Sequence, residues 1–396
     1  MLNNKLTEHH RQGVYKVGDL MFINKSDALI VASKTNQDVT WHFNDTVFSS
    51  IDWSIPIETS LPELYKRRAQ QLRDKYDYLS LFFSGGVDST NVLHSFIDND
   101  IFLDEIVMYR PAKLVPKANT HDKTTSNIYS EIEFAAIPHL QKYLKNSKTK
   151  VRFIDMDDST EQFFNNSNLL SQFYTVNKMT TLGIAKIAMC TTDSIWNNLY
   201  NSGKKVAHIQ GVDKPIINFE NGEYIFQFGD AAMSFNFVSS ENTAENEMLL
   251  NHQYHEFFYW TPDLPELVIK QCQVVKLLCK NDIIFKFLFI DSYNSPQDRF
   301  MAIINYIYPS HVNEIRNLFT TVKPGEGLNA GQGKWFYDLL SSETVGKFSD
   351  LVKFSQNNID DRFFRSNKNI YISDINGVAT TEKNAGRLFK SKKYIL

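Results

Sequence analysis

Cysteine is scarce in this sequence: Cys190, Cys272 and Cys279 are the only three in 396 residues. They form no CxxC pair and no zinc-type spacing, so neither a disulfide framework nor a structural zinc site is expected. Long apolar runs are also missing. The longest, "IIFKFLFI" from Ile283 to Ile290, is short and carries Lys286, which excludes it as a bilayer-spanning helix. The opening "MLNNKLTEHHRQG" has no apolar signal core, so a cytoplasmic protein is expected. A formal net charge of -3 gives no bulk attraction to nucleic acid. Neither GxxxxGK[ST] nor GxGxxG occurs, which removes the Walker loop and the dinucleotide fingerprint from consideration.

What is present is ample material for a core: 42% of residues are apolar, over a length that suggests two or three regions. Residues 1–75 are read as a β-rich N-terminal region with a linking helix. "GVYKVGDLMFI" and "DALIVAS" supply its strands. In "SLPELYKRRAQQLRDKYD" Ser60 is an N-cap, Pro62 sits in the first turn and Glu63 takes the capping-box position. Residues 76–250 then alternate strand and helix. "YLSLFF", "DEIVMYR", "KVRFIDMD" and "KVAHIQG" are apolar runs separated by helical patterns, the signature of a doubly wound parallel sheet in an α/β fold. Pro138 should interrupt the helix around it, and Asn221-Gly222 marks a hairpin. Residues 251–396 read as mainly helical, with "LPELVIKQCQVVKLLCKND" the clearest case and its two cysteines on one buried face.

The chemistry concentrates in "FFSGGVDST", where an apolar strand turns through two glycines into a helix. In open α/β sheets ligands lie beyond the carboxyl ends of strands. Gly85 and Gly86 can take positive φ and lack a Cβ, so backbone N–H groups can approach an anion closely. Val87 completes the nucleotide loop, and Asp88 and Ser89 lie at the start of the helix, whose open amides and dipole favour phosphate. Ser84, Ser89 and Thr90 add hydroxyls. Asp88 would repel phosphate unless a cation lies between them, which points to Mg²⁺.

The pattern SGGxDS resembles the PP-loop of the ATP pyrophosphatase superfamily, the adenine nucleotide alpha hydrolase-like fold. A chance match to its five fixed residues is on the order of 10⁻⁶ per position. The resemblance implies that ATP is cleaved between its α- and β-phosphates, with AMP passed to a substrate oxygen. The stretch "DSIWNNLYNSGKKVAHIQGVDKPI" then resembles the synthetase domain of asparagine synthetases and β-lactam synthetases. There the corresponding strand ends in a GxGxDE-like loop that helps hold Mg²⁺-pyrophosphate. Here that loop is Gln210-Gly211-Val212-Asp213-Lys214: one glycine is missing and Lys214 replaces the acidic partner. By this resemblance Asp88 and Asp213 are metal ligands, Lys214 a phosphate-facing or catalytic charge, and Gly211 part of the nucleotide loop. Met108 and Tyr109, at the end of the second strand, are neighbours of adenine. Glutamine hydrolysis, which asparagine synthetases carry out with an N-terminal cysteine, is not expected here, since Leu2 follows Met1 and the first cysteine is Cys190. An amine would then come as ammonia, on a substrate, or from an ammonia-supplying partner.

The expected activity is therefore an AMP-forming ligase that adenylates a small-molecule carboxylate and transfers the acyl group to an amine. A nucleobase-modifying enzyme of the same superfamily acting on tRNA or DNA is one alternative, with the basic tail "GRLFKSKKYIL" as its slight support. A non-catalytic nucleotide-binding subunit is another. Several signals are weaker. Arg110 is either a phosphate or carboxylate partner or a surface residue. Asp155, Asp157 and Asp158 fit capping of the next helix better than a site. Glu131 and Glu133 fall on different helix faces and make no catalytic pair. "NHQYHEFFYWTPD" places His252 and His255 three apart in an aromatic run and is read as a packed interface. "KPGEGLNAGQGKW" is a lid candidate in which Lys323 or Lys334 would meet pyrophosphate, or a plain surface loop.

Overall fold

The computed structural model describes residues 13–22, 25–110, 131–145, 147–166, 188–230, 253–292, 296–309, 341–363, 369–373, 379–383 and 389–396. At the front, β1 (Val14–Val17), β2 (Leu20–Phe22) and β3 (Thr40–His42) form a small antiparallel sheet in the order β2-β1-β3. The "DALIVAS" run, expected as a strand, lies instead within a helix, Lys25–Thr35. A seven-residue apolar run fits either period. Here Ala28, Leu29 and Ala32, spaced as one helix face, are all fully buried.

The central element is β4 (Tyr78–Phe82), followed by β5 (Glu105–Arg110), β6 (Lys150–Asp155) and β7 (Val206–Gln210), the four strands the apolar runs marked. Their side chains divide with period two. Leu79, Leu81, Ile106, Met108, Ala207 and Ile209 enter one core, whereas Phe82, Val107 and Val206 enter another. The first core takes Leu64 and Leu72 from the helix Leu61–Lys75, and Val92, Leu93 and Phe96 from the helix Val87–Ile97. The second takes Trp196 and Tyr200 from the helix Ser194–Asn201, with Met189 and Cys190. Both faces are thus covered, which is why these strands read as continuous apolar runs.

Strands β8 (Ile217–Glu220) and β9 (Glu223–Phe226) form the expected hairpin around Asn221 and Gly222, at φ 51° and +88°. The edge of the parallel sheet is then completed by β10 (Gln253–Phe257). This moves the boundary expected at residue 250: His255 lies in a strand opposite His208, so the parallel sheet extends into the region read as mainly helical. The five strands are parallel, in the order β10-β7-β4-β5-β6. From β4 the chain moves outward through β5 and β6, then returns to the other side of β4 as β7. The connections therefore reverse direction between β4 and β7, the position at which open α/β sheets bind their ligands.

Beyond β10, the helix Pro265–Asn281 buries both Cys272 and Cys279, as expected. The C-terminal region is less helical than its sequence suggests, since β11 (Asn369–Ser373) pairs with β12 (Ala379–Lys383). The chain end forms β13 (Tyr394–Ile395) on β9, with Phe389, Ser391, Tyr394 and Leu396 buried. Of the basic tail, Tyr394 and Ile395 pair with β9, while the side chains of Lys390, Lys392 and Lys393 are exposed. One apolar core includes Tyr15, Trp41, Leu79, Phe228, Val275 and Tyr394, and so draws on all three expected regions. Among the described residues no helix is long and apolar enough to cross a membrane.

Candidate functional site

The strand-to-helix turn lies at the switch point. Phe83 still pairs with β5 through its N–H to Val107 O (2.9 Å), after which Ser84 leaves the sheet. Gly85 takes φ +84°, Gly86 returns to −72°, and the helix begins at Val87. The N-cap is Gly86, which has no side chain to accept from the first-turn amides, unlike Ser60 and Asp193 at the starts of their helices. The hydroxyls of Ser84 and Ser89 lie 3.3 Å apart; Ser84 Oγ accepts from Gly86 N–H (3.2 Å) and Ser89 Oγ donates to Gly86 O (3.0 Å). Thr90 is buried, and its Oγ1 has no hydrogen-bond partner among the described residues.

The space left by the first glycine serves the protein itself. A Cβ on Gly85 would stand 2.8 Å from Ala136 N and 2.9 Å from Glu131 O. Gly86 is more open, with Glu131 Oε1 and Ser84 Oγ each 3.3 Å from its Cβ position. Glu131, which sequence spacing set aside, therefore brings a carboxylate to the loop. It precedes a π-helical turn, Ile132–Ala136, that runs directly into the helix Ile137–Tyr143, with Pro138 in its first turn. The interruption expected at Pro138 is this turn.

The second loop meets the first. A Cβ on Gly211 would be 3.0 Å from the carbonyl carbon of Asp88 and 3.1 Å from its oxygen, so only glycine lets the two backbones approach this closely. Lys214, nearly buried, forms an ion pair with Asp88 Oδ2 and lies 5.0 Å over the Phe300 ring. Asp88 Oδ1 accepts a hydrogen bond from Tyr308 Oη (2.5 Å). Asp213 Oδ1 accepts from the Lys214 N–H (2.7 Å). Thus Asp88, Gly211, Asp213 and Lys214 are brought together, as the sequence suggested. Tyr308 and Phe300 join them from far along the chain, with no local motif to announce them.

A layer of tyrosines supports this arrangement from below. Tyr259 Oη donates to Asp88 O (3.0 Å) and accepts from Asn91 Nδ2 (2.9 Å), while Tyr65 Oη donates to Ile307 O (2.6 Å). Burial, reinforced by the Asp88 charge, pushes the Tyr259 and Tyr308 phenols well above their usual range, so both remain donors.

Other expected residues have structural partners. Met108 is buried, and Tyr109 makes an edge contact with Phe82 at 6.0 Å. The Arg110 guanidinium lies 4.9 Å over Phe153. Asp155 Oδ1 accepts from the N–H groups of Asp157 (2.8 Å) and Asp158 (3.3 Å), a capping role for the helix Met156–Asn166. Lys323 and Lys334 lie outside the described residues, as does His252. Among the described residues no three His, Cys, Asp or Glu side chains gather as a metal-binding group.

The donor set suits an anion: hydroxyls, uncapped helix amides and one ammonium converge at the strand ends. It suits a divalent cation less directly. A metal on Asp88 has to compete with Lys214 for Oδ2. The fold is α/β, built on a five-stranded parallel sheet whose connections reverse between β4 and β7. Comparisons with protein-family models and with curated proteins find no match for the chain.

Proposed function

We propose that the chain is an ATP-dependent, AMP-forming ligase with an asparagine-synthetase-like PP-loop. The supporting observation is the meeting of two loops at the switch point, Ser84–Thr90 against Gly211–Lys214, with Gly211 packed on the Asp88 backbone. In this reading the uncapped amides and the hydroxyls of Ser84, Ser89 and Thr90 hold the β- and γ-phosphates. In the same reading Met108 and Tyr109, in the second half of β5, are the neighbours of adenine. A substrate carboxylate oxygen bonds to the α-phosphorus as the bond from that phosphorus to the bridging oxygen breaks, and pyrophosphate departs. An amine then attacks the acyl carbon, AMP leaves with the oxygen, and the amine loses a proton to solvent. Magnesium would be carried on the phosphates beside Asp213 and would spread the charge of the leaving pyrophosphate.

The test is product analysis with labelled ATP, Mg²⁺, ammonia and a panel of small carboxylates. AMP and pyrophosphate are expected; ADP and phosphate in their place overturn the reading. Asp88→Ala should abolish turnover while the circular dichroism of the native protein is retained. A binding-only role is the second reading, favoured by the engagement of Asp88 with Lys214 in the protein itself. Tight ATP binding without pyrophosphate release from any substrate supports that alternative. The nucleic-acid reading is separated by a binding assay, since it calls for salt-sensitive binding of tRNA or DNA.

A further inference from the structure

We propose that Lys214 is the resident cation of this site: its ammonium supplies at Asp88 the positive charge that a divalent metal would otherwise bring, so that the nucleotide's phosphates bind without a metal bridging Asp88. The proposal rests on the nucleotide reading given above and deepens it. An aspartate in the first turn of an uncapped helix stabilises that helix but opposes any phosphate that comes to the same amides. Something must cancel its charge.

The structure provides the cancellation within the chain. Lys214 pairs with Oδ2 while Tyr308 occupies Oδ1, so both carboxylate oxygens are engaged by protein donors. The lysine side chain is only 8% exposed and lies under the Phe300 ring, which fixes the ammonium at Asp88. Its own backbone is tied to Asp213 through the N–H to Oδ1 bond. Gly211 brings this loop against the Asp88 backbone, so Lys214 arrives with the loop. An ammonium has three N–H donors, and one that holds Asp88 can still meet a phosphate oxygen. Lys214 is therefore placed to serve both the carboxylate and the anion.

The experiment measures the Kd of ATP by titration calorimetry, in EDTA and in Mg²⁺, for the wild-type chain, Lys214→Gln and Lys214→Gln/Asp88→Asn. Wild type should bind ATP in EDTA within about threefold of its affinity in Mg²⁺. K214Q should bind at least about tenfold more weakly in EDTA, the scale of one charge-assisted hydrogen bond. It should regain affinity in Mg²⁺, because a metal can then stand at Asp88. The double variant should recover part of the EDTA affinity, because no carboxylate charge remains to be cancelled. The proposal is overturned if K214Q matches wild type in EDTA, or if wild type itself loses more than about tenfold without Mg²⁺. The second result needs no variant, so the test survives a K214Q protein that does not fold. In either case the nucleotide reading stands. If folded wild type binds ATP in neither buffer, the nucleotide reading itself fails, and this inference with it.

Discussion

The backbone nitrogen of Ala136 lies 2.8 Å from where a Cβ on Gly85 would stand. Gly85 also has φ +84°, a region costly for a residue with a side chain. Gly85→Ala should therefore destabilise the fold by about 2–4 kcal/mol, combining left-handed strain with a displaced backbone. Gly86→Ala should cost much less, because φ there is −72° and the nearest atoms are side-chain oxygens at 3.3 Å. Urea denaturation of the two variants compares them directly. Equal losses would show that the Glu131–Ala136 segment does not bear on Gly85.

Tyr308→Phe keeps the ring and removes the hydroxyl that donates to Asp88 Oδ1. The expected cost is about 1–2 kcal/mol, the lower part of the range for a hydrogen bond to a charged group, since Asp88 is partly solvated. Chemical denaturation gives the value. No change in midpoint would remove Tyr308 from the support of the site.

Asp230 joins three distant parts of the chain. Its side chain is fully buried; Lys25 Nζ (2.7 Å) and Tyr15 Oη (3.0 Å) donate to Oδ2, and Phe389 N–H donates to Oδ1 (3.0 Å). Asp230→Ala strands a lysine and a phenol and should cost about 3–5 kcal/mol. Asp230→Asn, which keeps an acceptor for Phe389, should cost less. Adding Lys25→Met to Asp230→Asn should restore part of the loss. Guanidinium melts that rank the variants otherwise would contradict this account.

His208 gives the protein an acid-sensitive element. Burial, with a smaller contribution from the Arg152 charge, lowers its pKa from 6.5 to about 3. The unfolded chain therefore takes up a proton as pH falls below about 6.5, whereas the folded chain does so only near 3. Its contribution to stability is complete above the unfolded value and is lost progressively across that window, on the order of a few kcal/mol. Urea stability measured between pH 7 and pH 4 should fall more steeply for wild type than for His208→Gln. Parallel slopes would exclude the effect. The ring shares a hydrogen bond with Tyr200 Oη through Nε2 (2.5 Å) and stacks on Phe82 at 5.7 Å, a setting that is fully buried.

The parts of the fold legible in the sequence are those whose signal is local. β4, β5, β6 and β7 are marked by apolar runs bounded by turns, and the Asn221-Gly222 hairpin by its dipeptide. "DALIVAS" was ambiguous because a short apolar run does not fix its own period. β10 was missed because its identity depends on β7 beside it, and two histidines three apart mimic a helix face. At the site, Asp88 and Asp213 are announced by glycine turns. Tyr308, 220 positions from Asp88, has no such marker and is brought in by the tertiary fold alone.

The chain end has a consequence for how the molecule is made. Tyr394 and Leu396 are buried, Tyr394 packs at 4.6 Å on Trp53, and Ser391 N–H and Leu396 N–H donate to Phe228 O and Tyr224 O. During synthesis the first sheet and the β8–β9 hairpin emerge long before the segment that closes over them. The aromatic cluster between them therefore cannot close until residues 389–396 have been made, which ties its packing to contacts of very long sequence separation.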